Sequence, residues 1–199
     1  DIAAVSSGRG LLVGSPVPSL DVRIIRDRWG KTLGGLSGDE FTKLCRQPTE
    51  PGEIVVSGTH VLDGYLNGQG ADENKFCVDQ TRWHRTGDAG YFDDRGRLWL
   101  LGRCAARVDS GHGALYPMGV EQAAMRNPCI GKAAMVSHRG QRVLVVTLRD
   151  PKTQPDFTTV LKSLSFANVD SIRIVKRLPL DRRHQSKIDY SSLRELLEQ

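Results

Sequence analysis

No apolar run in the 199-residue sequence approaches the roughly 20 residues that a membrane-spanning helix needs, so a membrane span is not expected. The four cysteines, Cys45, Cys77, Cys104 and Cys129, lie far apart with no close pair, and a chain this size with 39% hydrophobic residues does not need disulfides. Reduced thiols and a cytoplasmic location are therefore expected. The five histidines, His60, His84, His112, His138 and His184, are equally scattered. No Cys/His spacing resembles a zinc site, so no metal is expected. There is no internal repeat, no low-complexity segment and no Gly-x-x-x-x-Gly-Lys phosphate loop. The chain opens at Asp1 without an initiator Met or a basic-then-apolar leader, an opening that reads as a cut end.

What is present is an ordinary globular composition, with 26% charged residues and a net charge of +5. Acidic residues are interspersed with the basic ones. That balance suits an anionic small ligand better than nucleic acid, and no nucleic-acid partner is expected. A non-catalytic binding module with a basic surface is the competing class; it predicts a continuous basic stripe and steep salt dependence.

From Leu11 to about Arg103 the pattern is of short strands and turns. Leu20–Ile25 and the β-branched Glu53–Val56 read as strands. Tyr91-Phe92 and Leu98–Leu101 flank Asp93-Asp94-Arg95-Gly96-Arg97, a hairpin signature. Only Asp72 to Phe76 looks helical in this part. Then the pattern changes. Pro117 opens a helix carrying Val120, Ala123 and Ala124 on one face and ending before Asn127-Pro128. Residues 131–137 and 142–148 read as strands joined through Arg139-Gly140, followed by a helix over 157–164 and a strand over 171–176. The last helix, 190–198, places Leu193, Leu196 and Leu197 on one face, with Ser192-x-x-Glu195 as its capping box. The expected fold class is α+β: a small β-barrel or sandwich subdomain over 1–103, then a mixed α/β C-terminal domain over 104–199.

Three polar groups stand out. Thr86-Gly87-Asp88 ends in a carboxylate at an expected turn, and a carboxylate can accept both hydrogen bonds of a vicinal diol. Gly102-Arg103 closes a strand, and arginine offers fixed donors for hydroxyl or phosphate oxygens. Lys187 lies in a polar loop after Leu178-Pro179-Leu180 and before a helix. Each group alone is more often an ordinary turn, a surface arginine or a solvated lysine.

Their order is more specific. Gly52-Glu53-Ile54-Val55-Val56-x-Gly58, Gly64-Tyr65-Leu66-Asn67, Trp83-x-Arg85-Thr86-Gly87-Asp88, Asp93-x-x-Gly96-x-Leu98, Gly102-Arg103, Tyr116-Pro117-x-x-Val120-Glu121, Leu178-Pro179 and Lys187-Ile188 follow one another along the chain. That succession resembles the adenylate-forming superfamily of acyl-CoA synthetases, peptide-synthetase adenylation domains and luciferases, from about Gly10 to Gln199. The resemblance implies the C-terminal portion of an enzyme in which a carboxylate attacks the ATP α-phosphate and a second group then takes the acyl. Asp88 would bind the ribose hydroxyls, Arg103 would support the ribose and the hinge, and Lys187 would bridge the substrate carboxylate and the adenylate oxygens. A turning domain would present the 110–114 loop, with Gly111, His112 and Gly113, in the second step. ATP/AMP and Mg would serve the full-length parent, with coenzyme A as one acceptor and a fatty or β-hydroxy carboxylic acid as substrate. The partner would be the missing N-terminal part of the same enzyme, which would hold the phosphate loop and acyl pocket. No cofactor is expected to bind this portion tightly, and alone it is expected not to adenylate.

Departures narrow the resemblance. The usual hinge residue, two positions after the arginine, is Ala105 here, and the usual Gly before the lysine is Ser186. Arg182-Arg183-His184-Gln185-Ser186-Lys187-Ile188 with Gly113-Ala114-Leu115-Tyr116-Pro117 looks more like the olefin-biosynthesis branch, whose members close a β-hydroxy acid into a β-lactone. A fatty-acyl-CoA ligase and an inactive relative are the alternatives.

Overall fold

The computed structural model describes residues 7–61, 74–153, 155–181 and 188–198. The chain is mixed α/β with strands predominating, and it divides into two compact units. One is Leu11–Ala105. The other runs from Ala106 onward and takes in residues 7–10. No helix among the described residues is long and apolar enough to cross a membrane.

The first unit is built on a six-stranded sheet of β1 (Leu11–Gly14), β2 (Leu20–Ile25), β3 (Gly52–Gly58), β4 (Lys75–Val78), β5 (Thr81–Phe92) and β6 (Leu98–Arg103). The order is β1-β6-β5-β3-β2, with β4 also paired to β5, and every pairing is antiparallel. Helix α1 (Gly38–Leu44) packs Phe41 and Leu44 against Ile25, Val55, Phe76 and Trp83. Phe41 and Trp83 meet at 4.8 Å between ring centroids, and burying side chains of this size stabilises by about 2–3 kcal/mol each. Val22, Ile24 and Ile54 form a smaller cluster with Phe92, Leu98 and Leu100. All three tryptophans, Trp29, Trp83 and Trp99, belong to this unit.

Helix α1 is absent from the sequence reading, although its signal is local. Ser37 caps it, the Glu40 side chain accepts from the Ser37 amide at 2.8 Å, and the Glu40 amide donates to the Ser37 hydroxyl at 3.3 Å. That is a reciprocal capping box. The helix expected over 72–76 does not extend past Asn74, the one described residue of that span in helical conformation. Lys75 and Phe76 begin strand β4, paired to His84 and Trp83, because Phe76 and Val78 gain burial in the aromatic cluster; residues 72 and 73 lie outside the described residues.

The second unit holds a two-stranded hairpin, β7 (Val108–Ser110) and β8 (Gly113–Leu115), and a three-stranded sheet. The sheet contains β9 (Ile130–His138), β10 (Gln141–Leu148) and β11 (Ser171–Ile174), with β9–β10 antiparallel and β10–β11 parallel. It is covered on both faces. Met135, Leu144 and Val146 pack with Val120 and Ala124 of α2 (Met118–Met125) and Val160 of α3 (Phe157–Ser163). The alternate residues Val136, Val143 and Val145 pack with Leu193 and Leu197 of α4 (Tyr190–Leu197). Burial on both faces explains why β9 and β10 are near-continuous apolar runs rather than alternating ones. One expectation for α4 is corrected. Its cap is Asp189, whose carboxylate accepts from the Ser191 and Ser192 amides, so Ser192 is inside the helix and caps nothing. Leu196 is 39% exposed, while Leu193 and Leu197 are buried.

Candidate nucleotide-contact site

Strand register brings Asp88 to Arg103. The hairpin between β5 and β6 is pinned at its turn by Asp93, whose carboxylate accepts from the Arg95 and Arg97 amides, the Arg97 Nε and the Trp99 indole at 2.8–3.0 Å. Those bonds, the indole first, hold the Asp93 carboxyl well below the ordinary carboxylate range. From the turn, Phe92 faces Leu98 and Gly90 faces Leu100. An irregularity follows between Ala89 and Gly90, and beyond it Ala89 faces Gly102 and Asp88 faces Arg103. Leu101 is the extra residue. Were Leu101 paired with Ala89 in regular register, Asp88 would stand opposite Gly102. Arg103 Nη1 lies 3.1 Å from Asp88 Oδ1, with the two side chains 58% and 32% exposed.

A second irregularity shapes the same segment. Glu53 faces Ala89 and Val55 faces Arg85, so Ile54 alone stands opposite Thr86, Gly87 and Asp88. The expected turn is thus a bulge within a continuous twelve-residue strand. Gly87 takes φ +69°, a left-handed conformation that favours glycine. The Thr86 hydroxyl donates to the Ile54 carbonyl at 2.8 Å, and the Asp88 amide donates to the Thr86 hydroxyl oxygen at 3.0 Å.

Beneath the bulge lies a buried ion pair that the sequence reading did not identify as one. Arg85 Nε and Nη2 donate to both Glu53 oxygens at 2.6–3.2 Å, and Arg85 Nη1 donates to the Lys31 carbonyl at 2.6 Å. The Arg85 guanidinium also sits 5.4 Å from the Trp29 ring centroid. Burial pushes the Glu53 carboxyl up, and the Arg85 guanidinium and the Gly87 amide pull it back toward the ionised form. The signal was available. Glu53 is a lone charge in a β-branched strand, and Arg85 shares strand parity with buried Trp83 and Ala89.

Asp27, Glu53 and Cys104 bring ligand atoms within 4.8 Å of one another. The trio does not fit the magnesium implied above. Both Glu53 oxygens are engaged by Arg85, and burial drives the Cys104 thiol far above its ordinary range.

Gly111 and His112 form the turn of the β7–β8 hairpin, and Gly113 begins β8. The hairpin is held by Arg142, whose buried guanidinium donates to the Gly113 carbonyl at 2.9 Å and the Ala167 carbonyl at 2.7 Å. His112 Nε2 lies 3.9 Å from Asp170 Oδ1. Lys187, Ser186, residues 182–185 and residues 64–67 lie outside the described residues. The ends of the lysine loop are described: Leu180 bridges Ile188, and the Asp189 amide donates to the Pro179 carbonyl at 3.0 Å. The four cysteines are free thiols.

No family model matches the chain. It is 32% identical over 209 aligned residues to an olefin β-lactone synthetase of Xanthomonas campestris, covering 96% of this chain and 36% of the relative. It is 33% identical over 122 residues to the 2-succinylbenzoate–CoA ligase of Bacillus subtilis, covering 61% of this chain and 21% of that one. Among solved structures, o-succinylbenzoate CoA synthetase from Bacillus subtilis in complex with its acyl-adenylate intermediate superposes with a TM-score of 0.69 at 26% identity, over 94% of this chain and 35% of that one. The chain thus spans about a third of the length of this β-lactone synthetase.

Proposed function

The chain belongs to the adenylate-forming enzymes as a homologue of their C-terminal part, and from that premise we propose that it is the C-terminal portion of an ATP-dependent, AMP-forming acyl-activating enzyme. Leu11–Ala105 serves as the β-rich end of the large adenylating domain, and the unit from Ala106 onward as the small C-terminal domain. The observation that carries the reading is the Asp88–Arg103 pair, set across β5 and β6 by the Leu101 irregularity.

Asp88 accepts hydrogen bonds from the two ribose hydroxyls of ATP. A carboxylate has about four acceptor directions, so this is compatible with its Arg103 contact. An ion pair this exposed is worth about 0–1 kcal/mol, so sharing the carboxylate with a ligand costs little. Arg103 adds donors beside the ribose. Lys187 supplies positive charge to the substrate carboxylate and the α-phosphate oxygens. In the first step a carboxylate oxygen forms a bond to the α-phosphorus, and the bond to pyrophosphate breaks. In the second, the substrate's own β-hydroxyl oxygen attacks the acyl carbon, AMP leaves with the bonding electrons, and the hydroxyl proton passes to solvent. The β-lactone outcome is supported by the length of the likeness, 96% of this chain for the β-lactone synthetase against 61% for the CoA ligase. In the CoA reading, a coenzyme A thiol takes the place of the hydroxyl, with Gly111, His112 and Gly113 lining its approach.

The test is pyrophosphate release and product mass in the full-length enzyme, given a β-hydroxy fatty acid and ATP with and without coenzyme A. A β-lactone formed without coenzyme A is expected, and a thioester formed only with it would move the chain to the ligase branch. Lys187→Ala is expected to slow pyrophosphate release about a hundred- to a thousand-fold. An unchanged rate would remove the lysine from the mechanism.

A further inference from the structure

The residue before Asp88 is packed against an indole. A side-chain atom added to Gly87 would lie 2.7 Å from the Trp29 ring, so Trp29 sits against the left-handed kink. Trp29 is in turn stacked over Arg85, which holds Glu53 with three donor contacts and the Trp29 loop through the Lys31 carbonyl. Glu53, Arg85, Trp29 and Gly87 therefore form one line of contacts, and Asp88 is the next residue along the chain. The Asp88 amide is fixed by Thr86, which is fixed by Ile54, the neighbour of Glu53 on β3.

A buried ion pair is a poor source of stability. Apolar residues of similar volume commonly do as well or better, because removing two charges from water offsets their attraction. What the charged pair supplies that apolar residues do not is a guanidinium fixed both to the Lys31 carbonyl and against the Trp29 indole. We propose that Glu53 is a positioning residue for nucleotide binding: by fixing Arg85 against Trp29, which packs on the left-handed Gly87, it aims the Asp88 carboxylate at the ribose hydroxyls. The inference rests on the ribose role given to Asp88 above.

The discriminating measurement compares ATP with 2′,3′-dideoxy-ATP, which lacks the hydroxyls that Asp88 would contact. Dissociation constants of both are measured in the full-length enzyme for wild type, Asp88→Ala, Glu53→Gln, and the double variant Glu53→Met/Arg85→Met, which removes both charges and leaves no unpaired one. Wild type is expected to prefer ATP. Each variant is expected to bind ATP about tenfold more weakly, the loss of one charge-assisted hydrogen bond, with dideoxy-ATP binding unchanged. In the 199-residue chain, the Asp88 amide, bonded to the Thr86 hydroxyl at the kink, is expected to exchange with solvent faster in both Glu53 variants. A merely structural Glu53 would weaken both nucleotides by the same factor, and that result overturns the inference, as does an ATP preference kept by the double variant. If Asp88→Ala itself keeps the preference, the ribose role fails, and the inference falls with it.

Discussion

Replacing Tyr190 by Phe should destabilise the second unit by an amount that grows with pH. The Tyr190 hydroxyl donates to Glu121 Oε1 at 2.7 Å, and the Met135 amide donates to the same oxygen at 3.0 Å. Glu121 is buried between α2, β9 and the start of α4, and burial raises its carboxyl above the ordinary 4.5 despite those two donors. A raised carboxyl means that the folded chain holds the proton more tightly than the unfolded one. Its contribution to stability is therefore fully present below about 4.5 and is lost as pH rises through the folded value. Removing a donor to the carboxylate raises the folded value further and lengthens that loss. While the carboxyl is neutral the missing bond is worth about 0.5–1.5 kcal/mol; once it is ionised the bond is worth about 1.5–3 kcal/mol. Urea denaturation of Tyr190→Phe and wild type at a series of pH values above 4.5, with hydrogen exchange at the Met135 amide to localise the effect, should show a difference that grows by about 1 kcal/mol as the carboxyl ionises. A pH-independent cost, or one larger in acid, would refute the buried carboxylate as its origin.

Two further outcomes follow from local geometry. Ser37→Ala removes the α1 cap and should cost about 1 kcal/mol in urea denaturation, with the loss of exchange protection centred on the Glu40 and Phe41 amides. Asp93→Asn removes a carboxyl held low by its turn donors. That carboxyl contributes stability above its unfolded value near 3.8 and loses it as pH falls, so the wild-type urea midpoint should drop more steeply below pH 4 than the variant's.

The sequence carried the strand positions because they depend on local pattern. Leu20–Ile25, Glu53–Val56 and the hairpin around Asp93–Arg97 read directly as runs of apolar residues and turn residues. What escaped was register. Counting back from the hairpin turn puts Asp88 opposite Gly102; one unpaired Leu101 moves it to Arg103, and no residue in the string marks that slip. The same holds at Thr86-Gly87-Asp88, where a glycine that reads as a turn lies inside a long strand bowed away from Ile54. Capping boxes show a second limit. Ser37-x-x-Glu40 and Ser192-x-x-Glu195 have the same spelling, yet only the first caps, because Asp189 already satisfies the amides at the start of α4. The Glu53–Arg85 pair is 32 residues apart in sequence, a contact that exists only once β3 lies beside β5.

The distribution of indoles has a practical optical consequence. Since Trp29, Trp83 and Trp99 all belong to Leu11–Ala105, ultraviolet emission excited at the indole edge is a built-in spectroscopic label for that unit, with no dye attached. Trp29 is the one leaning on Gly87, so its colour and intensity should register any ligand that disturbs the neighbouring carboxylate.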